Sequence, residues 1–147
     1  MINWLPLPCE EKKYVELTAE GMANTSAQYD EVKEFLEKMR TWLTLMGGQV
    51  LYDTRGKNEQ FMADMEWDKP DKKKEWLLKL VPDDYFEGPD PNETPGLNPV
   101  WKFGKRIEGH LCYIKVFLIP KNNVYCISFH FAEHDMYLPL KKTTEAI

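Results

Sequence analysis

The chain has 147 residues, 43% of them apolar and 13% aromatic, and a formal net charge of −5. Such a composition can bury a core, which excludes a disordered chain, and the length suits one domain with an extra arm. No apolar run reaches the roughly 20 residues of a membrane helix, and the cluster at residues 2–7 is too short, and too broken by Asn3 and Pro6, for a secretory leader.

Three cysteines are too few for a disulfide framework and point to a reducing compartment, so the expected location is cytoplasmic. Charge is unevenly spread. Residues 1–96 carry 12 Lys/Arg against 20 Asp/Glu, whereas residues 97–147 carry 7 against 4 and all three histidines. A surface for phosphate is therefore expected in the last third of the chain.

Residues 1–24 have no clean period and read as an N-terminal extension. The domain proper is assigned to residues 25–147. Val32, Phe35, Leu36, Met39, Trp42, Leu43 and Met46 recur at steps of three and four, which predicts a helix over residues 26–46. Thr25 with Gln28 offers a capping box, and Gly47-Gly48 a stop. Residues 49–53 read as a short strand. Arg55-Gly56-Lys57-Asn58 reads as a turn whose Asn58 caps a short helix through Met65. Asp68, Pro70 and Asp71 suit the start of another helix, with Trp76, Leu77 and Leu80 as its apolar side. Residues 82–99 hold five prolines and two glycines and read as a long irregular loop.

The period then changes to two. Residues 100–103 form a candidate strand, residues 104–109 a turn region, and residues 111–119 and 124–131 the two clearest strands. Residues 132–147 read as a tail. Helices first and an antiparallel sheet last make an α+β domain, with Ile114, Val116, Ile127 and Phe129 packed against the 26–46 helix.

Side chains alternate across a strand, so each strand of the 111–131 hairpin has a fully apolar face. One is Cys112, Ile114, Val116 and Leu118; the other is Tyr125, Ile127, Phe129 and Phe131. Pairing these sets through an even loop gathers Tyr113, Lys115, Ser128 and His130 on the opposite face, with Val124 and Cys126 beside them. A two-residue loop sets Lys115 opposite His130. A four-residue loop sets Tyr113 opposite His130 and Lys115 opposite Ser128. A proton carrier, a cation and hydroxyls are the parts needed to cleave RNA, in which the 2′-OH attacks the adjacent phosphate. Histidine, with an ordinary pKa of about 6.5, serves either proton role.

Three blocks resemble the MqsR-family toxins within the wider RelE-like ribonuclease toxins. They are Arg55-Gly56-Lys57-Asn58; Asp84-Tyr85-Phe86-Glu87-Gly88-Pro89; and the stretch from Trp101-Lys102-Phe103-Gly104-Lys105 through Tyr113-Ile114-Lys115 to Cys126-Ile127-Ser128-Phe129-His130, with Ala132-Glu133-His134. The resemblance spans about residues 30–140. It implies a compact RelE/MqsR-like α+β domain and a metal-independent endoribonuclease (an mRNA interferase) with no cofactor. The implied partners are mRNA, with or without the ribosome, and a cognate antitoxin protein. It implies Tyr113, Lys115 and His130 as catalytic residues, and Lys102, Lys105, Arg55, Lys57 and Ser128 as RNA-binding residues. Where the family pattern has a lysine, this chain has Phe86, so Arg55, Lys57 or Lys105 is expected to supply that cation.

Two other readings have discriminating features. Cys112, Cys126, His130 and His134 form a loose zinc set, opposed by alternation, which points Cys112 away from the others. A non-catalytic protein- or RNA-binding accessory module would use the tryptophan-rich surface and cleave nothing.

Overall fold

The computed structural model describes residues 19–142, and of residues 19–27 the backbone alone. The chain divides into two units, residues 1–32 and residues 33–147. Of the N-terminal extension, residues 1–18 lie outside the described residues and residues 19–24 are helical.

Helix α1 spans Ala19–Thr44. It begins before Thr25, so the expected capping box stands inside the helix; Ala19, Glu20, Met22 and Ala23 are good helix formers that carry it on. In the second unit its buried stripe is Phe35, Leu36, Met39 and Leu43, while Met46 lies past the helix end and is exposed. Gly47 then takes a φ of +73°. The elements that follow are β1 (Val50–Tyr52), α2 (Lys57–Met65), α3 (Asp71–Leu77), a 3-10 turn (Pro82–Asp84), β2 (Tyr85–Asp90), β3 (Val100–Ile107), β4 (His110–Ile119) and β5 (Asn123–Phe131).

The strands form one open sheet in the order β1-β5-β4-β3-β2. β1 runs parallel to β5 and the other neighbours are antiparallel, which makes the fold α+β with a mixed sheet rather than a barrel. Residues 82–99 are not irregular throughout. β2 pairs with β3 as an edge strand, with register irregularities, and both features accommodate a residue such as Pro89. β3 likewise continues through Gly104 to Ile107, and the turn shrinks to Glu108-Gly109, whose φ values of +53° and +88° suit a tight hairpin.

The helix caps also differ from expectation. α2 is preceded by Gly56 at its cap, which frees Asn58 for another role, and α3 by Pro70 rather than Asp68.

One face of the sheet holds the core. Phe35 of α1 stacks on Trp101 at 4.6 Å and lies 6.2 Å from Phe103, both of β3. The β5 half is met by Phe61 of α2, 5.5 Å from Phe129, with Trp67 edge-on to Phe61. Gly48 lets the β4–β5 turn dock on the end of α1. A side chain there would put its Cβ 1.8 Å from the Asn122 carbonyl oxygen, and the neighbouring Gln49 N–H donates to Asn123 Oδ1 at 2.7 Å.

Lys73 of α3 is only 3% exposed. Its ammonium faces the rings of Phe129, Tyr52 and Phe61 at 5.5, 5.8 and 5.9 Å. Burial lowers its pKa, against opposing pulls from Cys126 and Asp53. A lysine depressed in the fold carries fewer protons there than in the unfolded chain, so stability rises with pH between the depressed value and the ordinary 10.5. Thermal melts should therefore show the wild type gaining on Lys73→Met as pH rises from 7 toward 10.5. A difference that does not change with pH would show that the ammonium is as comfortable in the fold as in water.

Candidate functional site

The hairpin reaches its register by an unexpected route. The β4–β5 loop has three residues, Pro120 to Asn122, with positive φ at Lys121 and Asn122, and Ile119 pairs with Asn123. An odd loop inverts the expected parity. Near the turn Val124 and Cys126 therefore face the core, and Tyr125 faces the other side with Phe117. Lys115 pairs with Ser128 while Val116 pairs with Cys126, which leaves Ile127 as an extra residue in a β-bulge. The bulge inverts the parity again. Beyond it Tyr113 stands opposite His130 and Ile114 opposite Phe129, the pairs expected from a four-residue loop. Ile127 is thus half-buried at the bulge rather than on the core face, and Cys126 does not share a face with His130.

Asn58 holds this bulge. It is 6% exposed. Its amide NH₂ donates to the Ile127 carbonyl at 2.8 Å and the Asp53 carbonyl at 2.9 Å, and its Oδ1 accepts from the Phe129 N–H at 2.9 Å. Two carbonyls and one N–H fix the orientation of the amide. Asn58 positions Ser128 and His130 without touching either face.

The polar face is organised in cross-strand rows. One row is Glu87, Lys102, Lys115 and Ser128; the next is Gly104, Tyr113 and His130. Directly opposed residues in an antiparallel sheet have Cβ atoms roughly 4.5–5.5 Å apart, so neighbours within a row meet. Lys102 is tied to Asp90 at 3.1 Å and Glu87 at 3.3 Å. Burial works to lower its pKa, but hydrogen bonds to Asp90 and Glu87 outweigh that and raise it. Lys115 has no ion pair among the described residues, and it is the cation that lies two residues from Tyr113 on the same face of β4. The Tyr113 ring lies 5.6 Å from that of His130, and burial raises the phenol, which stays protonated at neutral pH. His130 Nδ1 is 2.9 Å from the Phe131 carbonyl oxygen. A carbonyl only accepts, so Nδ1 carries the proton in that contact and Nε2 is left as the reactive nitrogen.

Of the other expected RNA-binding residues, Lys105 and Arg55 do not join this face, while Lys57 lines a shallow cleft together with His130. Lys105 alternates to the core side of β3 and pairs with Asp84 at 3.0 Å; burial raises the Asp84 carboxyl despite this partner. Arg55 closes on Asp53 with bonds of 3.1 and 2.8 Å and draws that carboxyl down to about 2. Lys57 pairs with Glu133 at the His130 end of β5. The three cations expected to stand in for the lysine that the resembled toxins have in place of Phe86 are all engaged by acids, while Phe86 sets its ring edge-on to Tyr113 at 6.5 Å.

Both described cysteines point to the core, and burial pushes each thiol up to about 12, so they act as small apolar side chains. Among the described residues no three His, Cys, Asp or Glu side chains gather as metal ligands. Nor is any described helix long and apolar enough to cross a membrane.

Two features escaped sequence reasoning. Arg106, exposed and on the Lys102 side of β3, would have followed from alternation had the strand been extended past Phe103. The bulge and its Asn58 clamp carry no local signal. No family model, curated protein or solved structure matches the chain.

Proposed function

We propose that this chain is a metal-independent endoribonuclease of the cytoplasm that cleaves mRNA and is neutralised by a cognate antitoxin protein. The observation that supports it best is the pairing of two adjacent rows, in which Lys115 without an ion pair neighbours the Tyr113–His130 pair. His130 Nε2 takes the 2′-OH proton or returns one to the leaving oxygen. Lys115 stabilises charge that develops on the phosphate. Tyr113, held neutral, donates a hydrogen bond to the sugar or phosphate, and Ser128 supplies a hydroxyl beside Lys115. The antitoxin part of the proposal rests on the family resemblance alone.

The test is cleavage of single-stranded RNA by purified protein with excess chelator. The wild type should cut at an unchanged rate. Lys115→Ala should lose about 10²-fold, the scale for removing one electrostatic stabiliser of a transition state, and Lys121→Ala in the turn should lose nothing. No cleavage would favour the accessory binding module; cleavage abolished by chelation would overturn the metal-free reading. Growth arrest on expression, relieved by the neighbouring open reading frame, would establish the antitoxin relation.

A further inference from the structure

The segment after β5 crosses the polar face. The Ala132 N–H bonds to the Leu111 carbonyl at 2.8 Å, and the Lys142 N–H reaches Asp83 Oδ2 at the 3-10 turn. Between these anchors Met136 and Leu138 sit over Gly104. A Cβ on Gly104 would meet Met136 Sδ and Cε at 2.9 Å and Leu138 Cδ2 at 3.2 Å. Gly104 pairs directly with Tyr113, so its missing side chain opens the space into which this strap descends. Phe86 reaches the same Tyr113 ring from β2. Tyr113, Phe86, Met136 and Leu138 all keep part of their surface exposed.

The geometry points to a nucleobase subsite in this nook, an inference that rests on the nuclease reading of the neighbouring rows. It takes one unpaired base of the RNA, stacked on Tyr113 and walled by Phe86 and Met136, next to Lys115 and His130. Aromatic platforms beside cations are how proteins hold unpaired bases. The walls offer ring edges, a thioether and methyl groups, with little to read a base edge by hydrogen bonding. Selection therefore follows stacking area, and purines are preferred over pyrimidines. A duplex, whose bases are already stacked on one another, does not enter.

A fully 2′-O-methylated oligouridine with a single 2-aminopurine tests this. It cannot be cut, because the attacking hydroxyl is blocked, and its fluorescence falls when the 2-aminopurine stacks. The wild type should quench it. Met136→Ser and Gly104→Val should bind it about 5-fold or more weakly, the lower end of the effect of losing one base–aromatic stack, and should flatten the purine preference in cleavage of ordinary RNA. Lys121→Ala should match the wild type. Melting temperatures show which variants are folded. If both strap variants bind like the wild type, or the wild type does not quench, the subsite is overturned. Quenching without cleavage of the unmethylated counterpart keeps the subsite and overturns the nuclease reading; cleavage without quenching does the reverse.

Discussion

His130→Ala should lower RNA cleavage by about 10²–10⁴-fold, the range for losing general acid–base help, and should leave the melting temperature close to that of the wild type. The side chain stands on the polar face, half-exposed, and hydrogen-bonds to the neighbouring Phe131 carbonyl. Replacing it removes a proton carrier without opening the core. His130→Lys is the sharper companion. It places a cation at the end of the row but no imidazole nitrogen to take and return a proton, so it should support RNA binding and little of the rate. Single-turnover rates with a chelator present, alongside binding of a 2′-O-methylated RNA, separate the two effects. A fully active His130→Ala would mean that the Tyr113–His130 pair is only the wet side of a sheet.

The parts of this fold that were legible in the sequence are those set by local repetition. Steps of three and four placed the buried stripe Phe35, Leu36, Met39 and Leu43, and alternation placed β4 and β5 to within a residue or two. The Tyr113–His130 and Lys115–Ser128 pairs match one of the two expected registers, that of a four-residue loop, although the loop has three residues and the two-residue alternative would have set Lys115 opposite His130. Two inversions of parity, one from the three-residue turn and one from the bulge, cancel beyond Ile127. They do not cancel between Val124 and Cys126, which is where the expected face assignment fails. A bulge is a decision about hydrogen bonds between strands, and here it is enforced by a side chain 69 residues away from Ile127 in the chain.

The cations were harder to read for a related reason. Lys102, Lys105, Arg55 and Lys57 look alike in a sequence, as mobile charges near a basic hairpin. Three of them are engaged by acids from other elements: Lys102 by Glu87 and Asp90, Lys105 by Asp84, and Lys57 by Glu133. The Lys57 and Lys102 pairs are exposed or half-exposed and contribute little stability, whereas the Lys105–Asp84 pair is largely buried. Their effect is selective: they leave Lys115 as the charge without a fixed partner beside His130.

Asn58→Ala should destabilise the domain as much as truncating a large core side chain. It strands the buried Phe129 N–H and withdraws the donors from the Ile127 and Asp53 carbonyls. Each buried group left without a partner costs about 1–3 kcal/mol; with the two carbonyls only partly buried, the total should be roughly 3–5 kcal/mol. Against a typical domain stability of about 5–15 kcal/mol that is a large fraction, and it corresponds to a fall in melting temperature on the order of 10–20 °C. Asn58→Asp should do no better, because a carboxylate cannot donate to either carbonyl and its buried charge would have no cation among the groups that Asn58 touches. The damage should begin at the bulge. Hydrogen exchange at the Phe129 amide should accelerate well before that at Ile114, which is held by ladder bonds on both sides in the middle of the sheet. Cleavage should fall even below the melting transition, since release of Ile127 frees β5 to slip by one residue and turn His130 toward the core. A variant that melts within a few degrees of the wild type, with an unchanged Phe129 exchange rate, would mean that the loop and the sheet alone hold the register, and that Asn58 merely follows it.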